Sequence, residues 1–168
     1  MFNNINREAI LESWGTLIVS ANGRRDEFFR RTLEILSEFK VPYIVAERKD
    51  TATSISQALF GKKRPAITVI NRSLPEYKIF IMCRDYGTQL SISWYLVSDS
   101  ALMYAITSIA QTIAKTKKPM DVFQLEELTC WAETVHHATI AASKEIAETV
   151  NFDFAKVDLK SKGFLNVS

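Results

Sequence analysis

The sequence predicts an α+β fold: one antiparallel sheet of about four strands packed against long helices, in the order ααββββαα, followed by a C-terminal tail. Three observations predict it. Residues 77–84 and 88–97 read as two strands joined by a tight turn. Residues 121–150 carry an apolar stripe at helical spacing. The strand-like segments are consecutive and helix-like segments flank them, the arrangement of a sheet with its helices segregated. At 168 residues the chain has the length of one domain, so 1–168 is read as a single unit. Within it lie a helical hairpin at 6–39, a sheet at 41–97, helices at 99–150 and a docked tail at 151–168.

Residues 6–20 read as the first helix, because Ile10, Trp14, Leu17, Ile18 and Ala21 follow the spacing of one helical face, with Asn6 as N-cap. Asn22-Gly23 ends or bends it. Residues 24–39 read as the second helix, with Phe28, Phe29, Leu33, Leu36 and Phe39 on its apolar face and four arginines mostly opposite. From Val41 the runs shorten. A strand is expected at 41–48, with Pro42 at its start where a missing N–H does least harm. One or two helical turns are expected at 53–60, and a breaker loop at 61–65 leads to a second strand at 66–71.

The hairpin is the clearest signal. Residues 79–83 are continuously apolar, as in a central strand covered on both faces. Leu90, Ile92, Trp94 and Leu96 then alternate with Gln89, Ser91 and Ser93, the period of a strand with one buried face. Gly87 supplies the positive φ of a tight turn. Residues 99–116 return to helical spacing and Pro119 stops them. Asp121 caps the long helix 121–150, whose stripe is Leu128, Trp131, Val135, Ala138, Ala142 and Ile146. The tail from Asn151 holds Phe152, Phe154, Val157, Leu159, Phe164 and Leu165, apolar enough to dock on the body or on a partner.

Composition excludes several classes. Apolar residues make up 47% and charged residues 24%, ordinary for a globular chain and unlike a disordered or collagen-like one. Net charge is +2, distributed as +3 over 1–64, +3 over 65–118 and −4 over 119–168, less positive than a dedicated duplex binder. Cys83 and Cys130 form no metal or redox spacing and sit in apolar runs. The N-terminus lacks a secretion signal, and no apolar run approaches the roughly 18 residues of a membrane span. The expectation is a cytoplasmic protein without a membrane anchor.

Two clusters are candidate sites. At the hairpin tip and the adjoining strand, Arg84, Asp85, Tyr86, Ser91, Ser93 and Tyr95 would line any ligand pocket, since Arg grips carboxylate or phosphate with paired bonds. Turn chemistry is the plainer reading of Asp85 and Gly87. Around the 50–60 connection, Arg48, Lys49, Lys62, Lys63 and Arg64 would gather at one end of the sheet if strands 41–48 and 66–71 pair, forming an anion or nucleic-acid site. A solvated loop that blunts an edge is the plainer reading. The second-helix arginines have Asp26, Glu27 and Glu34 within reach and read as a salt-bridged face. Glu133 and His136 have the Glu-x-x-His spacing of di-iron bundles, yet only one copy exists, so no metal is assigned. No nucleophile elbow, phosphate loop or dinucleotide glycine pattern is present, and no cofactor is expected.

Three functions stay open. The leading one is a non-catalytic interaction or adaptor module acting through protein–protein contacts, with a homodimer as one form. Trp94 and Tyr95 on opposite faces of one strand support it, because a sheet with helices on one face would leave Tyr95 and Val97 as an apolar patch. The others are a small-molecule binder or enzyme with a pocket between sheet and helices, and a weak nucleic-acid binder using the basic loop 61–64.

Overall fold

The computed structural model describes residues 10–51, 64–98, 120–163 and 165–168. Its elements run β1 (Ile10–Val19), α1 (Arg25–Glu38), β2 (Ile44–Thr51), β3 (Arg64–Asn71), β4 (Tyr77–Tyr86), β5 (Gln89–Ser98), α2 (Val122–Thr149), a 3-10 turn (Phe154–Lys156) and β6 (Lys162–Gly163). The fold is α+β with one antiparallel sheet. Six strands, rather than about four, lie in the order β2-β3-β4-β5-β1-β6. Both described helices pack on one face of it.

The hairpin forms where its alternation placed it. Tyr77 pairs with Ser98 and Tyr86 with Gln89, closed by Gly87 at φ 62° and Thr88. That turn hand suits twisted strands. Residues 79–83 are buried throughout, with Ile79, Ile81 and Cys83 under the helices and Phe80 and Met82 on the opposite face.

The expected first helix is the main correction: its described part is strand β1. Trp14 and Ile18 lie four residues apart, a spacing that is an even number and nearly one helical turn, so it fits both periods, while Ile10 stands beyond a register shift on the outer face. Leu17 decides between them. It points away from the core and is 46% exposed, whereas Trp14 and Ile18 are buried. Thr16, Ile18 and Val19 are β-branched and favour the pleated surface, and Gly15 disfavours a helix interior. The order ααββββαα is therefore overturned at its first element; the described elements open β1-α1 and close with β6. β1 fills the slot between β5 and the tail, pairing from Ile10↔Val97 to Val19↔Gln89. The turns expected at 53–60 and the helix at 99–116 lie outside the described residues.

The helices fall close to their expected bounds. In α1, Phe28, Phe29, Ile35 and Leu36 are buried against the sheet. Its arginines are salt-bridged, though not in the Asp26–Arg30 and Glu27–Arg30 or Glu27–Arg31 pairs that i+3 and i+4 spacing offers: Arg24 bonds Glu27 at 2.8 Å, Arg30 bonds Glu34 at 2.6 Å, and Arg31 reaches across to Glu145 of α2 at 2.6 Å. α2 starts in a capping box. Asp121 accepts from the Gln124 N–H at 2.8 Å, and the Gln124 side chain accepts from the Asp121 N–H at 3.2 Å. Every residue of the predicted stripe is buried.

The tail docks on the body. Lys162 and Gly163 pair with Ser13 and Glu12 as β6, and Val167 is buried. The Trp14 indole N–H donates to the Asp158 carbonyl at 2.8 Å. Among the described residues no helix is long and apolar enough to cross a membrane.

Candidate functional site

Pairing register assigns each sheet residue to a face. On the helix face stand Trp14, Ile18, Ile67, Ile79, Ile81, Leu90, Ile92, Trp94 and Leu96. The outer face has two halves. One is a small buried cluster of Ala66, Phe80, Met82 and Val97, with Ile10 and Tyr95 against it. The other, toward the β4–β5 turn and the tail, is open. There Leu17, Val19 and Tyr86 are 46%, 48% and 60% exposed. The apolar patch expected at Tyr95 and Val97 is thus displaced, because Val97 packs into the small cluster and the exposed apolar surface lies on β1 and at the hairpin end.

The open half is a trough. A broad hollow of about 650 Å³ runs over Gly15, Leu17, Arg84, Tyr86, Ser91 and Ser93. A second of about 200 Å³ continues it over the β1 edge, between Ser13, Ser93 and Tyr95 on one side and Lys160 and Lys162 on the other. Gly15 sets the depth: a Cβ there would press on the Ile92 carbonyl and the Ser93 Cβ, each at 3.2 Å. The Arg84 guanidinium lies 5.3 Å from the Tyr86 ring centroid, so the hairpin end presents an Arg–Tyr stack. Asp158 also borders the second hollow, and its carboxylate accepts from the Lys160 N–H at 3.1 Å.

Charge separates between the two layers. By register the outer face carries Lys49, Arg64, Lys78, Arg84 and Lys162 against Glu47, among the described residues. On the helix side, α2 holds five Glu and one Lys, and α1 holds four acidic residues and three Arg.

Of the first candidate cluster, Arg84, Tyr86, Ser91, Ser93 and Tyr95 come together on the outer face. Asp85 does not. It has the opposite parity, and its carboxylate accepts from the Gly23 N–H at 2.8 Å, tying the β1–α1 turn to the hairpin. The second cluster divides. Arg48 lies on the helix side, bonded to Asp26 with its guanidinium 4.8 Å from the Phe29 ring centroid. That bond holds the Asp26 carboxyl below the usual carboxylate range. Lys49 is on the outer face with Glu47 as ion-pair partner. Arg64 lines a hollow with Arg84, so the two predicted clusters meet there. Lys62 and Lys63 lie outside the described residues. Gly15, Leu17, Lys160 and Lys162 complete the trough and were missed. The β-branched run after Gly15 was the available signal for β1, whereas nothing local marks where Lys160 and Lys162 come to rest.

The histidines have separate roles. His136 is buried; its Nδ1 accepts from the Trp94 indole N–H at 3.0 Å and its Nε2 lies 2.7 Å from the Leu159 carbonyl. His137 is exposed, with Nε2 3.1 Å from the Ser168 carbonyl. Burial raises the Cys83 thiol far above its usual range, so it packs as a small hydrophobe. Among the described residues no group of three His, Cys, Asp or Glu side chains is placed to hold a metal ion. Comparison with family models, curated proteins and solved structures gives no match.

Proposed function

We propose that this chain is a non-catalytic interaction module, and that the open half of its outer sheet face is the docking surface for a partner presenting negative charge. The opposite charge of the two layers carries the reading: a cationic sheet face backed by an acidic helix layer orients an anionic partner onto one side. The surface is preformed on paired strands, which lowers the ordering cost of binding. Its exposed Tyr and Arg are residue types that anchor interfaces. Pairing of this face with its own copy would bring Arg84 and Lys162 against like charges, so the favoured partner is a different molecule.

An amide NMR titration with heparin, a generic polyanion, tests the location. Shifts are expected at Gly15, Leu17, Tyr86, Ser91, Ser93 and Lys162, fading as salt is raised. Shifts confined to α2, or none at low salt, would overturn the reading.

A further inference from the structure

We infer that the partner of the trough is a single-stranded nucleic acid, a few nucleotides of which cross the sheet diagonally from Arg84 to Lys162. The inference rests on the docking-surface reading above and names its ligand.

Dimensions come first. Strands lie about 4.8 Å apart and residues rise about 3.3 Å, so from Arg84 on β4 to Lys162 on β6 the trough spans roughly 20 Å. That suits a short extended strand, at the low end of the about 4–16 nucleotides held by single-strand grooves.

The chemistry along that path alternates. Arg84 stands at one end and Lys160 and Lys162 at the other, and no ion-pair partner among the described residues engages these three. Between them lie the hydroxyls of Ser91, Ser93 and Ser13, which donate to phosphate oxygens. Tyr86, exposed beside Arg84, offers a ring face to a base, and the half-buried Tyr95 borders the path. Leu17 is exposed on the floor for sugar and base contact. Gly15 removes a side chain where a planar group would lie flat.

An acidic protein would satisfy the cations. It would leave the Tyr86 ring beside Arg84 and the glycine-cut floor without the planar partner that a base supplies. A duplex is disfavoured as well, because a hollow receives a strand, whereas duplex reading needs a helix or β-ribbon that projects into a groove.

Fluorescence anisotropy of the full chain tests this, with labelled single-stranded DNA and RNA of mixed sequence, the matching duplex, and labelled poly-L-glutamate. Single strands are expected to bind at low salt more tightly than the duplex. Three phosphate contacts give a slope of log affinity on log salt of about −2, hence roughly a twentyfold loss on a fourfold rise in salt. Arg84→Ala and Lys162→Ala should each lower that slope by about 0.7. Tyr86→Ala should weaken binding about tenfold with the slope unchanged. A thermal melt establishes that each variant is folded. Binding of poly-L-glutamate through Arg84 and Lys162 without binding of single strands would overturn the ligand and leave the docking surface standing. Binding of neither would overturn both. Equal or tighter binding of duplex, or single-strand binding indifferent to Arg84 and Lys162, would also overturn the inference.

Discussion

His136 is the residue on which the tail, the sheet and α2 converge. Its two ring nitrogens face one donor and one acceptor, the Trp94 N–H and the Leu159 carbonyl. Only the neutral ring with its proton on Nε2 serves both. A proton added at Nδ1 would oppose the Trp94 N–H and break that bond. Burial lowers the His136 pKa; the Leu159 carbonyl opposes this, nearby His137 lowers it further, and Glu12 and Glu133 raise it. The sign follows. With the folded value below the unfolded one, the unfolded chain takes up the proton first as pH falls. The contribution is whole above the unfolded value of about 6.5 and is lost below it, down to the folded value. The urea midpoint should therefore drop as pH falls through about 6.5, and His136→Gln should flatten that drop. A midpoint level across the window in the native chain would refute the assignment.

At the scale of elements, β6 is the smallest strand and the most sensitive to its sequence. Gly163 has φ 155°, and a methyl group on it would overlap the Leu11 carbonyl and the Glu12 carboxylate. Both are parts of β1, with no flexible end that can yield cheaply: the Glu12 carboxylate is buried and also accepts from the Ser161 hydroxyl and from the Leu165 N–H at 2.9 Å. Gly163→Ala is expected to cost about 1–3 kcal/mol and to speed amide exchange at Leu165 while the β4–β5 amides stay protected. Unchanged exchange at Leu165 would show that β6 tolerates the side chain. β6 also marks the limit of what the sequence reveals. The hairpin and α2 were legible because each carries its own unambiguous period and its own turn or cap, Gly87 in one and Asp121 in the other. β1 was not, since Trp14 and Ile18 satisfy two periods, Ile10 stands across a register shift on the other face, and the only local sign against a helix was Gly15 with the β-branched residues after it. The candidate site was half legible for the same reason. Arg84, Tyr86, Ser91 and Ser93 share one readable hairpin, whereas Gly15 comes from the misread strand. Lys160 and Lys162 arrive by tertiary docking, as does the diversion of Arg48 to Asp26.

On the whole-molecule scale, the tail links stability to the trough. It supplies the carbonyl partners of Trp14 and His136, the two donors that meet Glu12, one buried Val167 and two cations of the docking face. A chain ending at Val157 leaves the Trp14 indole, the His136 Nε2–H and the Glu12 carboxylate without these partners. The loss should be about 3–5 kcal/mol, by the cost of a few unmet polar groups and of uncovering the surface beneath Val167. The helix signal in circular dichroism should persist, because the sheet from β1 to β2 and both described helices are intact. Polyanion affinity should fall with it, since Lys160 and Lys162 are gone while Arg84 and Tyr86 remain. Restoring the tail with both lysines replaced by Gln separates the two effects: stability should return and affinity should not. If affinity returns with the lysines absent, the tail acts on the trough only by holding β1 in place, and the cationic path from Arg84 ends on the sheet.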